Sequence, residues 1–164
     1  MNKILIVSLI SLLSLSSLSL ADEHKPAISA EMFLNAVAAV EEKDFVEAVR
    51  LFAALAEEGE PASQYNLSLL HYKGLGTPEN YKSALYWAWN ASLDGYEKAP
   101  ALVDNIREDV TDKLITEVAG SVIEDLTEKA MSGDDEASIK LGKTYYSLFI
   151  EPDIKNAYIW FVIA

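Results

Sequence analysis

AEEGEPASQYNLSLLHYKGLG (56–76), TPEN (77–80) and YKSALYWAWNASLDG (81–95) form one continuous stretch, and its breakers sort it into a helical hairpin. Pro61 stands where a helix begins, a place where the missing N–H costs nothing. Between Pro61 and Lys73, and again between Pro78 and Leu93, apolar residues recur at helical spacing, with no strand-like alternation. Gly59 and Gly95 close the flanking helices as left-handed C-terminal caps do. Gly74 and Gly76 give the turn between the two helices dihedrals that other side chains resist. This stretch predicts helices over roughly 61–73 and 78–93.

The same punctuation continues outward. Gly59 to Gly95 spans 36 residues and Gly95 to Gly133 spans 38, a period that signals stacked helical hairpins. Asn80-Tyr81-Lys82-Ser83-Ala84 is matched 36 residues earlier by Asp44-Phe45-Val46-Glu47-Ala48. Lys82, Ala84, Trp87 and Ala91 return 73 residues later as Lys155, Ala157, Trp160 and Ala164. His71-Tyr72 returns as Tyr145-Tyr146 at an offset of 74, so one residue is lost from the intervening loop. The remaining helices are expected near 29–42, 44–57, 97–109, 112–131, 135–148 and 152–163, all five prolines falling close to a helix start. The predicted fold is all-α, a solenoid of about four antiparallel helix pairs with hairpins near 27–58, 59–94, 95–132 and 133–164.

The small residues at crossing points, the Gly-x-Gly turn and the Lys82-x-Ala84-x-x-Trp87 helix occur in the order of the Sel-one-like repeat, which this chain resembles. That family is related to the tetratricopeptide repeat. The resemblance is strong over 59–99 and good over 133–164. Residues 27–58 look more like a generic tetratricopeptide hairpin, through Ala36, Ala39, Phe45, Ala48 and Phe52, and residues 97–132 are degenerate. It implies that Ser63, Ala99 and Ala137, with Ala84 and Ala157, let helices approach closely, and that Trp87 and Trp160 fill the wedge between hairpins. Ser63 replaces the family's usual alanine and adds a hydroxyl that needs a partner, and Ser68 replaces its usual glycine, so helix packing there is expected to be slightly looser. The last repeat has Leu148-Phe149-Ile150-Glu151 in place of Gly-x-Gly, so its turn should be tighter or differently shaped. The family's members act mainly as adaptors, scaffolds or regulators; some are exported bacterial envelope or virulence factors, and one belongs to a sodium-driven flagellar motor. Hydrolysis of β-lactams is associated with a cysteine-rich subgroup, and this chain has no cysteine, so that activity does not carry over.

Residues 1–21 have the plan of a secretory signal peptide: Lys3, an apolar run from Ile4 to Leu20, then Ser19-Leu20-Ala21 before a cleavage point at Asp22. The rival reading is an uncleaved membrane anchor; five serines from Ser11 onward weigh against it. The domain expected after cleavage is 22–164, periplasmic or secreted. Without cysteine there is no lipid-anchor attachment point and no disulfide, so helix packing must carry stability. The net charge is −13, with 26 acidic against 13 basic residues, which disfavours nucleic acid and anionic lipid as partners.

The catalytic and cofactor search is nearly empty. A nucleophilic triad would have to use His71, which occupies the position of Tyr145 and reads as packing. Acidic clusters around Glu41–Asp44, Glu57–Glu60 and Asp134–Glu136 lack the spacing of a calcium loop, and Asp44 and Asp134 suit helix capping instead. No metal, cofactor or catalytic residue is assigned. The expected function is a non-catalytic adaptor or scaffold of the cell envelope that binds another protein; the alternatives are an envelope hydrolase or a structural part of an envelope machine such as a flagellar motor. Candidate contact residues are Tyr65 and Leu69, off the arc of Ser63, Leu67 and His71, and Trp89, which either packs or anchors a partner. Ile159 and Ile163 complete the set. The segment from Tyr158 onward is apolar on nearly every side, which implies either a reading frame cut short of its cap or a surface covered by a partner or a second copy.

Overall fold

The computed structural model describes residues 19–149 and 151–164, and side chains from Ser29 onward. The expected signal peptide therefore lies largely outside the described residues. Among those described there are eight helices and no strand: α1 Ser19–Glu41, α2 Phe45–Glu57, α3 Pro61–Lys73, α4 Tyr81–Leu93, α5 Ala99–Glu108, α6 Asp112–Met131, α7 Asp135–Ser147 and α8 Ile154–Ile163. They form stacked antiparallel pairs. Pro26 departs from the expected pattern: it lies inside α1 rather than at its start.

Capping explains why most of these helices begin where they do. Side-chain oxygens of Asp44, Asn80, Asp134 and Asp153 accept the N–H of the residue three positions on, and Glu60 takes those of Ala62 and Ser63. Each cap satisfies donors that a first helical turn leaves without partners. Gly59, Gly95 and Gly133 all have positive φ, as their period predicts. Gly76 is the most constrained glycine, because a Cβ there would stand 2.1 Å from the Phe45 carbonyl oxygen. The turn of the second hairpin thus rests directly on the backbone that opens α2. The last hairpin closes in a related way without its glycines. Its Asp153 N–H donates to the Tyr145 carbonyl at 2.9 Å, just as Asn80 donates to His71 at 3.0 Å. Leu148 caps α7 in the right-handed region where Gly74 is left-handed, so the turn is differently shaped, as expected.

The core has two parts. Ala36, Ala48, Leu51, Phe52 and Leu67 unite α1, α2 and α3, with Phe33 edge-on to Phe52 at 5.8 Å. Leu85, Trp89, Val103, Ile106, Val118, Val122 and Leu141 unite α4 to α7. The small residues Ser63, Ala84, Ala99, Ala137 and Ala157 are all buried, as the resemblance implied. The third unit is irregular: α5 packs on α4, and the twenty-residue α6 reaches both α4 and α7, while α5 and α6 touch each other little.

Of the two tryptophans of α4, Trp89 and not Trp87 is the more enclosed. Trp89 is 7 % exposed and donates from Nε1 to the Thr144 hydroxyl at 3.2 Å, pinning α4 to α7. Trp87 is only half-buried, against the first cluster. Trp89→Ala should therefore cost about 3–5 kcal/mol, and Trp87→Ala distinctly less. Urea unfolding followed by circular dichroism measures both, and the order of the two midpoints is the expected outcome.

Candidate functional site

Helix packing leaves an open groove of 890 Å³ along the stack. One end is formed by Ala56 and Glu57 at the close of α2 and by Pro61 and Gln64 at the start of α3. Tyr86, Trp87 and Asn90 of α4, with Asp94 at its C-terminal cap, supply the centre. Asp125, Glu128 and Lys129 of α6 and Glu136 and Lys140 of α7 complete the far wall. Of these five helices only α3 and α4 belong to one hairpin; α2, α6 and α7 come from three others. Their assembly depends on α6 leaving the regular hairpin pattern to lie between α4 and α7.

Polar latches hold the walls. The Tyr86 hydroxyl donates to Asp125 Oδ2 at 2.6 Å, joining α4 to α6. Burial first, and then this bond to a carboxylate, push the phenol well above its ordinary range. Lys140 Nζ lies 2.5 Å from Asp94 Oδ1 and 2.9 Å from Glu136 Oε1. Burial alone would depress that ammonium, and the two carboxylates more than compensate, so it is held charged. Thr144 extends the network below the groove, accepting from Trp89 and donating to the Lys140 carbonyl at 2.8 Å. Tyr86 and Trp87 stand edge to face with ring centres 5.0 Å apart.

None of the residues expected from the sequence lines this groove. Tyr65 and Leu69 are half-buried against the α4–α7 core; Tyr65 lies tilted against Tyr96 at 4.9 Å, and Leu69 borders a separate 140 Å³ cavity with Val40 and Phe52. Trp89 takes the packing role of its two possible roles. Ile159 and Ile163 are exposed on α8 beside Tyr158 and Val162, which are 69 % and 64 % exposed. The sequence reasoning missed Trp87 and Gln64. Lys82-x-Ala84-x-x-Trp87 was the available signal for Trp87, but it marked a repeat position and not the side chain's surroundings.

Three segments, residues 30–60, 61–91 and 135–164, match the Sel1 repeat model, together more than half of the chain. The chain belongs to the Sel1 repeat family. The matches coincide with the α1–α2, α3–α4 and α7–α8 hairpins and omit the irregular α5–α6 unit. The first hairpin, expected to be a generic tetratricopeptide type, is itself a Sel1 repeat; its small residues Ala36 and Ala48 are as fully buried as Ala84. No curated protein matches the chain. No three histidine or acidic side chains among the described residues are gathered to hold a metal ion. No helix among them is long and apolar enough to cross a membrane.

His71 stands apart from the groove's carboxylates. It lies half-buried on α3, its Nδ1 enclosed without a partner, and burial lowers its pKa. A folded-state pKa below the unfolded value of about 6.5 means that protonation favours the unfolded chain. The stability from neutral His71 is thus present above about pH 6.5 and is lost as pH falls through the folded value. His71→Phe should remain folded and show a flatter dependence of melting temperature on pH between about 7 and 5. Thermal melts of both proteins across that range check it.

Proposed function

We propose that this chain is an exported, non-catalytic interaction module of the bacterial cell envelope, serving as an adaptor or scaffold for another protein. The observation that carries the proposal is the groove. It is framed by Sel1 hairpins together with α6, and lined by an aromatic pair and charged side chains, with His71 outside it. Sel1 and tetratricopeptide-like repeats generally serve protein–protein contact, and their stacked helices present an extended surface of this kind. The leader-like sequence 1–21 supports export.

The apolar face of α8 favours a second contact, between copies of the chain. Ile154, Tyr158, Phe161, Val162 and Ile163 leave a run of exposed large side chains, and apolar patches of this extent mark interfaces.

Both contacts are tested by one experiment in fractionated bacterial cells, with a photo-crosslinking residue placed in turn at Glu57, at Glu124 outside the groove, and at Val162. The expected result is a periplasmic chain beginning at Asp22. It forms a discrete foreign adduct from Glu57 but not from Glu124, and an adduct of twice its own mass from Val162. The Val162 adduct should disappear with Ile159→Lys and Ile163→Lys. A cytoplasmic chain, or equal adducts from Glu57 and Glu124, contradicts the interaction-module proposal. Persistence of the dimeric adduct in the lysine variant contradicts the α8 contact.

A further inference from the structure

We infer that the groove is built to receive a cationic polypeptide segment, one that presents lysine or arginine side chains, from the partner. The inference rests on the proposed role of the groove as an interaction site and specifies the chemistry of its occupant. Two independent observations point the same way.

The first is charge. The groove is lined by five carboxylates and two lysines. Of the two ammonium groups, Lys140 is consumed between Asp94 and Glu136. Glu57, Asp125 and Glu128 are then left in the lining with Lys129 as the other lysine there. Asp125 uses one oxygen to accept the Tyr86 hydroxyl and keeps further acceptor capacity. The chain's net charge of −13 extends the same field beyond the groove and would steer a basic partner toward it.

The second observation is an acceptor without a donor. Gln64 lines the groove at 4 % exposure, and its Nε2 reaches the Ala56 carbonyl at 3.5 Å. Its Oε1 has no hydrogen-bond partner. A buried amide oxygen left in this state is costly, and a donor arriving through the groove would relieve it. Lysine and arginine side chains carry donors and no acceptors. Of the side chains that carry a full charge at neutral pH, these two satisfy both the carboxylates and Gln64. Trp87 and Tyr86 also line the groove, and aromatic rings attract an ammonium or guanidinium. The groove's volume suits a few residues of an extended segment.

Fluorescence anisotropy with labelled synthetic peptides of equal length tests the inference on the full chain. One peptide is arginine- and lysine-rich, one is glutamate-rich and one is neutral. The basic peptide should bind, and the other two should not. The paired substitution Asp125→Asn and Glu128→Gln should weaken binding by about tenfold or more, as should Gln64→Leu. The exposed pair Glu31→Gln and Glu108→Gln, which removes the same charge outside the groove, should change it by less than about twofold. Circular dichroism checks the fold of each variant; the Asp125 and Glu128 side chains are exposed, so that pair keeps the test valid if Gln64→Leu unfolds. Equal weakening by the groove and surface pairs would mean diffuse attraction to an acidic protein, and would overturn the inference. Binding of the glutamate-rich or neutral peptide would overturn it as well. A foreign adduct from Glu57 in cells, combined with no binding of the basic peptide, overturns the cationic occupant alone and leaves the interaction module standing.

Discussion

Helices α3 and α4 meet at Ser68 and Ala84, two fully buried residues whose side chains are no larger than a hydroxymethyl group. The Ser68 hydroxyl donates to the Ala84 carbonyl at 2.7 Å, so the crossing is close enough for a side chain on one helix to bond the backbone of the other. Helix pairs approach this tightly only where side chains at the contact are small. The hydroxyl that serine brings in place of glycine is satisfied there. Ser63, the other serine substitution, has no partner for its buried hydroxyl and is carried by the surrounding packing. The last hairpin reproduces the arrangement with Ala157 and with Gly142, where a Cβ would come within 2.5 Å of the Phe161 ring.

This crossing joins the two halves of the core. Leu67 and Leu70 of α3 belong with α1 and α2, whereas Tyr65, Leu69 and Tyr72 on the same helix pack toward α4 and beyond. From α4, Trp87 packs back on the first half while Leu85 and Trp89 build the second. The spacing of α3 and α4 therefore sets how far apart the groove's ends lie. Latches between residues distant in sequence then fix the far wall: Tyr86 on Asp125, Lys140 on Asp94 and Trp89 on Thr144. Because these bonds join different repeats, the groove is a property of the stack and not of any one hairpin.

The hairpins were legible because glycine and proline punctuate them, and capping side chains sit three residues before the N–H groups they serve. The bounds of α3 and α6 could be read from the sequence to the residue for this reason. The tryptophans were not separable in the same way. Trp87 and Trp89 project from different sides of α4, and a helix inside a stack is packed on more than one side, so periodicity does not say which face is the more enclosed. The groove had no sequence signature at all. Its lining comes from five helices, and the α6 placement that brings Asp125 and Glu128 opposite Tyr86 and Trp87 lies in the unit that departs from the repeat. The exposed face of α8 was legible, since Ile159 to Ile163 contain no polar residue.

The central claim is that a small-residue crossing of α3 and α4 holds the stack together, and urea unfolding of Ala84→Leu beside Ala53→Leu tests it most directly. Ala84 is fully buried at the crossing, while Ala53 is half-buried on α2. Inserting the larger side chain at the crossing should cost about 1–3 kcal/mol or more, and the same change at Ala53 clearly less. Equal unfolding midpoints for the two variants and the unsubstituted chain would contradict the claim.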